Sequence, residues 1–178
     1  ADLLDHSAIP GLIDQARATH LLHLAWTTSP RVFWSSPDNE RWFSASRDLI
    51  RCFADHGGQR VVVAGTCAEY DWNDPTLTEE NCAEDRVPCR PATPYGQAKH
   101  KLWQWMKDEV AVSKAWGRLF NLFGEGEDPE RLVASVISEL LSGRPALLGP
   151  CTNTLDFMDV RDAGRALAEL AIAPVEGA

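Results

Sequence analysis

Arg60-Val61-Val62-Val63-Ala64-Gly65-Thr66 is the stretch that most limits what this chain can become. A short, continuous apolar run rich in β-branched residues, here Arg60 to Ala64, reads as a strand buried on both faces. Such strands belong to parallel sheets covered by helices. This one delivers Gly65 and Thr66 to its carboxyl end, the edge at which open α/β sheets bind ligands. Further along, Tyr95-Gly96-Gln97-Ala98-Lys99 lies in a segment that reads as helix from Pro94 to Val112. The four-residue spacing puts Tyr95 and Lys99 on one helical face. A phenol, an amine and a hydroxyl are thereby offered to one place, a set matched to proton transfer to or from an alcohol or carbonyl. Free tyrosine, with a pKa of about 10, is a poor base at neutral pH. A nearby lysine ammonium favours the phenolate, and a threonine hydroxyl can hold the substrate oxygen in line.

The rest of the chain alternates in the same way. An amphipathic segment from Pro10 to Ala16 precedes a second apolar run, Leu21 to Trp26, which also reads as a buried strand. From Glu40 to His56, Trp42, Phe43, Leu49, Ile50 and Phe53 recur at helical spacing until Gly57-Gly58 stops the helix. Asp71 to Pro91 is a long loop of carboxylates and prolines. Ala115 to Gly124 reads as a strand running into a loop, Glu130 to Leu141 as a half-buried helix, and Pro145 to Gly149 as a short extended piece. A helix rich in alanine and leucine continues to Ile172. Strands separated by helices predict an α/β fold.

Bulk properties narrow the partners. With 178 residues, 44% hydrophobic and 24% charged, one domain with a substantial core is expected. A net charge of -9, with no cluster of lysines or arginines, argues against a nucleic-acid surface. The sequence has no leader-like start and no apolar run long enough for a membrane span, so a cytoplasmic protein with no membrane partner is expected. Cys52, Cys67, Cys82, Cys89 and Cys151 are an odd number at irregular spacing, which reads as reduced thiols with no metal site.

In Thr66 standing four before Tyr70, in Tyr95-x-x-x-Lys99, in Arg118-x-x-Asn121-x-x-Gly124 and in Asp156-Phe157-x-x-Val160-x-Asp162, the chain resembles the short-chain dehydrogenase/reductase superfamily. The extended nucleotide-sugar epimerases and dehydratases look most similar, and the resemblance runs over nearly the whole chain. It implies a Rossmann-like, doubly wound parallel sheet over residues 1–178, with part of a substrate-binding region at about 120–160. No glycine-rich phosphate turn is present, so the sheet is expected to be incomplete, lacking the first βαβ unit and the C-terminal substrate lobe.

The resemblance also implies roles. Thr66, Tyr95 and Lys99 would be catalytic, acting with NAD or NADP on a nucleotide-sugar or a small carbonyl substrate. Asp2 and Leu3 would meet the adenine, while His23, Leu24, Ala25, Tyr95, Lys99 and Phe120 would line the remaining cofactor contacts. Thr66, Cys67, Asn121 and Arg131 would contact substrate, and Glu69, Glu79, Glu80 and Glu84 are candidate acids or bases of a dehydratase. A homodimer is implied as well. Two positions depart from the pattern: Gly65 stands where a serine is frequent, and Leu155 where an arginine would contact the diphosphate, leaving Arg131 or Arg144 to supply that charge. The missing phosphate turn and Leu155 support a second reading, a non-catalytic Rossmann-like remnant that binds or senses, and a reductase of a small carbonyl is a third.

Overall fold

A computed structural model describes all residues except 28, 30, 31, 75, 79–81 and 83–86. The buried run becomes the middle strand of a parallel three-stranded sheet, ordered β1 (His20–His23), β2 (Arg60–Thr66), β3 (Ser113–Leu119). His20 is level with Arg60 across one pairing and Arg60 with Ser113 across the other. Strand periodicity then divides the side chains of β2 between two layers. Val61 and Val63 pack with Phe43, Ile50, Phe53, Leu102 and Met106. Those residues come from α2 (Asp38–Asp55) and α3 (Pro94–Glu109), which lie against each other. Val62 and Ala64 face the other way, onto Leu167 and Ala171 of α5 (Val160–Ile172). Helices on both faces make every residue of β2 buried, as the unbroken apolar run requires.

Local chemistry sets the helix ends. Asp38 and Glu40 occupy the first turn of α2, where carboxylates oppose the positive end of the helix dipole, and Gly57 follows its end at φ 87°. Thr93 caps α3 by accepting from the Gly96 N–H at 3.1 Å, with Pro94 in the first turn. At α5, Asp159 Oδ1 accepts from the Arg161 N–H at 2.8 Å. A short helix, α1 (Ile9–Ala16), leans on α2, and α4 (Leu132–Leu141) lies beyond β3 in sequence.

Several elements differ from the sequence reading. β1 ends at His23, so Leu24 to Trp26 leave the sheet, and Trp26 turns back into the core beneath α2 and α3. Where a strand running into a loop is expected over Ala115–Gly124, the chain makes two strands parted at Phe120: β3 stays in the main sheet, whereas β4 (Asn121–Phe123) pairs in parallel with β5 (Phe157–Asp159) as a separate two-stranded sheet. Pro145–Gly149 forms no strand. Arg60, the polar start of an otherwise apolar run, is also buried. Its guanidinium donates to Leu170 O at 2.9 Å, Val175 O at 2.5 Å and Ser113 Oγ at 2.6 Å, tying the end of α5 to the sheet. Among the described residues no helix is long and apolar enough to cross a membrane.

The layer assignment makes a stability prediction. Leu102→Ala, at a position with 0% exposure, should lower the unfolding free energy in urea by about 2–5 kcal/mol. Leu147→Ala, at a position 94% exposed, should change it by less than about 0.5 kcal/mol. Equal effects from the two would contradict the core described above.

Candidate active site

Immediately after β2 the chain closes a single 3₁₀ turn, Cys67–Glu69, and this turn builds the site. Thr66 Oγ1 accepts from the Ala68 N–H at 3.2 Å, while Glu69 Oε1 accepts from the Thr66 N–H at 3.0 Å, a reciprocal capping box. Glu69 has no exposure to water. Its Oε1 also accepts from Trp116 Nε1 at 2.8 Å and its Oε2 from Arg118 Nε at 3.0 Å, both on β3. Burial pushes this carboxyl toward its neutral form. His100, the Arg118 charge, the Thr66 N–H and the Trp116 indole outweigh that and hold it below the ordinary carboxylate range.

Two glycines let the pieces approach. A Cβ on Gly65 would fall 2.1 Å from Trp116 Nε1 and 2.8 Å from Glu69 Oε1, so the Trp116–Glu69 bond leaves no room for a serine there. A Cβ on Gly96 would stand 2.2 Å from the Ala68 carbonyl oxygen. The first turn of α3 is thus pressed onto the turn that carries Thr66, which brings Tyr95 to the end of β2.

The structure puts Tyr95 beside Thr66 at this edge and buries Lys99 behind them, in different electrostatic states from those expected. Burial pushes the Tyr95 phenol up to about 12, against the pull of the Thr66 side chain as hydrogen-bonding neighbour. Cys67 and Glu69 add to the rise. The expectation that Lys99 lowers the phenol is therefore not met. Lys99 Nζ donates to the Ala64 carbonyl at 2.9 Å and lies 4.1 Å from the centre of the Trp26 ring. Its burial pushes it down to about 7, although the Glu69 charge pulls it up. The Tyr95 ring is enclosed edge-on by Phe33 at 4.9 Å, Trp34 at 5.6 Å and Trp26 at 6.3 Å. The Tyr95 N–H donates to Trp34 O, fixing that aromatic loop to α3.

Other expected residues are placed as follows. His23 is in the core, its Nε2 2.8 Å from Ser46 Oγ; burial, then the Lys99 charge, push it down to about 3. Leu24 and Ala25 follow it, with Leu24 exposed. Asp2 is exposed and accepts from the Leu4 N–H at 2.9 Å, and Leu3 is half-buried. Cys67 is half-buried, and its carbonyl accepts from Trp72 Nε1. Phe120 packs with Tyr70 and Trp72.

Asn121 Nδ2 donates to Asp156 O at 3.1 Å, within the β4–β5 junction. Arg131 is held by Glu127 at 3.0 Å, and Arg144 forks onto Glu139 at 2.6 and 3.1 Å. Both substitutes for the missing diphosphate arginine are thus engaged by neighbours. Leu155 lines a cavity of about 380 Å³ with Leu132, Leu148, Cys151 and Phe157. As an acid or base, Glu69 is corrected: both of its oxygens are committed to donors in the core. Glu79, Glu80 and Glu84 lie outside the described residues. Trp116 and His100 shape the site without having been expected, and Arg118, quoted only as part of a motif, does so through Glu69. Apolar or basic residues on strands and helices give no local sign of such roles.

A parallel sheet with helices on both faces, its middle strand ending at Thr66 beside Tyr95, is a Rossmann-type α/β arrangement. The chain belongs to the NAD dependent epimerase/dehydratase family, whose pattern it matches over residues 1–178. It is 25% identical over 166 residues to dTDP-6-deoxy-L-talose 4-dehydrogenase (NAD(+)) of Aggregatibacter actinomycetemcomitans, covering 88% of this chain and 57% of that protein. Among solved structures it resembles UDP-glucose 4-epimerase of Thermotoga maritima, with a TM-score of 0.81 and 19% identity over 97% of this chain and 58% of that one. It also resembles a NAD dependent NDP-hexosamine 5,6-dehydratase involved in tunicamycin biosynthesis, with a TM-score of 0.72 and 28% identity over 94% and 56%. The chain therefore spans a little over half the length of these relatives.

The histidines supply a pH test. Folded His23, near 3, refuses the proton an unfolded histidine takes near 6.5, so its contribution to stability is lost as pH falls from about 6.5 to 3. His100 runs the other way. Pushed up to about 9 by Cys89 and then Glu69, it contributes fully below about 6.5 and loses that contribution as pH rises through 9. NMR of the imidazoles should show His100 still charged and His23 neutral at about pH 7.5. The reverse assignment would overturn this electrostatic picture.

Proposed function

We propose that the protein is a nicotinamide-dependent enzyme of nucleotide-activated sugars, an epimerase, dehydratase or dehydrogenase in which Tyr95 carries the proton. The observation behind this reading is the phenol of Tyr95 beside the Thr66 side chain at the end of β2. The family's NAD dependence and the nucleotide-sugar chemistry in the relatives' names agree with it.

The donor set suits one end of a dinucleotide. Of the helices that follow a main-sheet strand, α2 begins with Asp38 and Glu40, and α3 begins with the Thr93 cap and Pro94. Neither presents bare N–H groups to a pyrophosphate. The nicotinamide end is different: exposed Leu24 and half-buried Ala25 follow β1, and Tyr95 stands at the end of β2. These residues would hold the nicotinamide and its ribose, which when bound supplies the hydride acceptor.

The chain's own residues then divide the work. Thr66 would position the sugar oxygen, with Cys67 and Asn121 as further substrate contacts. Tyr95, pushed up to about 12, holds its proton at neutral pH and is set to give it to a carbonyl oxygen. In the oxidative direction it takes that proton back from the sugar hydroxyl. Lys99, buried and pushed down to about 7, is the group whose charge changes near neutral pH. NAD is the proposed cofactor, and the small-carbonyl alternative shares the same proton step. A second reading, the non-catalytic remnant, is favoured by one feature: Trp26 covers the Lys99 ammonium that a ribose would need.

Turnover by the intact protein separates these. Given NAD and a panel of UDP- and dTDP-hexoses, it should form the oxidised, epimerised or dehydrated sugar. Tyr95→Phe should lower kcat by roughly 10²–10⁴-fold with little change in KM. NAD binding without any turnover, or an active Tyr95→Phe variant, would defeat the proposal. Absence of NADH-sensitised fluorescence transfer from the tryptophans would point to the remnant.

A further inference from the structure

The proposed chemistry leaves one buried polar side chain without a stated role. Asn39 lies in the first turn of α2 and is 2% exposed, yet it does not cap the helix: the Asp38 N–H is met by Ser36 Oγ at 3.2 Å. Asparagine is also a weak helix former, so nothing in α2 itself calls for it. Its amide makes three hydrogen bonds, all to the chain between β1 and α2. Oδ1 accepts from Trp26 Nε1 at 2.9 Å, while Nδ2 donates to Phe33 O at 2.7 Å and to Ser36 O at 2.9 Å. An indole N–H can only donate and a backbone carbonyl can only accept, which fixes the orientation of the amide. No other side chain of that size offers one acceptor and two donors.

The bonds to Trp26 and Phe33 lead to the reacting groups. The Trp26 ring held by Oδ1 has its centre 4.1 Å from Lys99 Nζ and meets Tyr95 edge-on at 6.3 Å. Phe33, held by Nδ2, meets Tyr95 edge-on at 4.9 Å and packs against Trp34 at 4.5 Å. Trp34 in turn takes the Tyr95 N–H on its carbonyl. The rings that shut water away from Lys99 and Tyr95 are thus fastened, directly or through a neighbour, by one amide. The titratable groups that Lys99 feels are Glu69 from the turn and His23 at the end of β1, which burial keeps neutral. Exclusion of water is therefore the main control on Lys99.

We infer that Asn39 is a positioning residue of the proton-transfer site, acting through Trp26 on Lys99 and through Phe33 on Tyr95 to keep both out of water. The inference rests on the proposed role of Tyr95 and adds to it a residue that acts only through others. Without the amide, the Trp26 N–H would stay buried with no acceptor, a cost that turns the ring toward water and uncovers Lys99.

Lys99, Lys101, Lys107 and Lys114 are the lysines of the chain, so the Lys99 titration can be followed in the intact protein by NMR of labelled lysine, with Lys99→Met assigning the signal. Asn39→Leu nearly keeps the volume and removes all three bonds. It should move the Lys99 midpoint up from about 7 by at least about one pH unit, a tenfold change in protonation, because burial is the first cause of the depression. Where the parent turns over, the variant should lose at least about tenfold in kcat with KM within about threefold. In the parent, the Trp26 indole N–H should exchange with solvent roughly a hundredfold more slowly than that of Trp34, which is 43% exposed. That comparison decides the matter if the variant does not fold. A Lys99 midpoint unchanged or lowered in the folded variant, full kcat in spite of a raised midpoint, or a Trp26 N–H exchanging as fast as that of Trp34 would overturn the inference. A parent without turnover would instead defeat the proposed function, and the titration and exchange would still support or overturn the hold of Asn39 on the ring.

Discussion

The Glu69 carboxylate is the point through which the site is assembled. Buried without exposure, it accepts from a backbone N–H on its own turn, an indole on β3 and a guanidinium on β3. An ion in such surroundings is stable only when its lone pairs are met by well-aimed donors and a matching charge. Meeting that demand fixes three things at once: the Thr66 turn, the register of the end of β3, and the position of Arg118. Gly65 and Gly96 follow from the same requirement. One makes room for the Trp116–Glu69 bond and the other for the contact between α3 and the turn.

The consequence for chemistry is a pair of groups whose environments move them in opposite directions. Burial raises the Tyr95 phenol and lowers the Lys99 ammonium, so both prefer to be neutral, and the Glu69 charge raises each of them. A proton-holding phenol next to a lysine near neutrality suits proton delivery to a developing oxyanion. Trp26 adds to this arrangement. Its ring lies over Lys99 and beside Tyr95, a cation–π contact that forms when the amine is protonated.

The sequence made the main sheet legible because β2 needs cover on both faces and its neighbours carry strong helical periodicity. The spacing of Tyr95 and Lys99, and the placement of Thr66 at a strand end, were legible for the same reason. What stayed hidden was decided by tertiary contact. Glu69 looked like one carboxylate among several until Trp116 and Arg118, distant in sequence, came to bear on it. The split of the later strand at Phe120 depends on β5, whose three residues carry little local signal. Arg60 read as the edge of a strand, and only the folded chain shows its guanidinium holding the end of α5. The pairing of Arg131 with Glu127 and of Arg144 with Glu139 likewise shows only in the folded chain.

Equilibrium urea unfolding of Glu69→Gln is the most direct measure of whether this carboxylate organises the structure. Removing its charge leaves the Arg118 guanidinium buried without its counter-ion. A loss of about 3–5 kcal/mol is then expected, the cost of breaking a buried pair by removing one partner. A variant as stable as the parent, within about 0.5 kcal/mol, would show that the turn, the strand end and the site are held by something else.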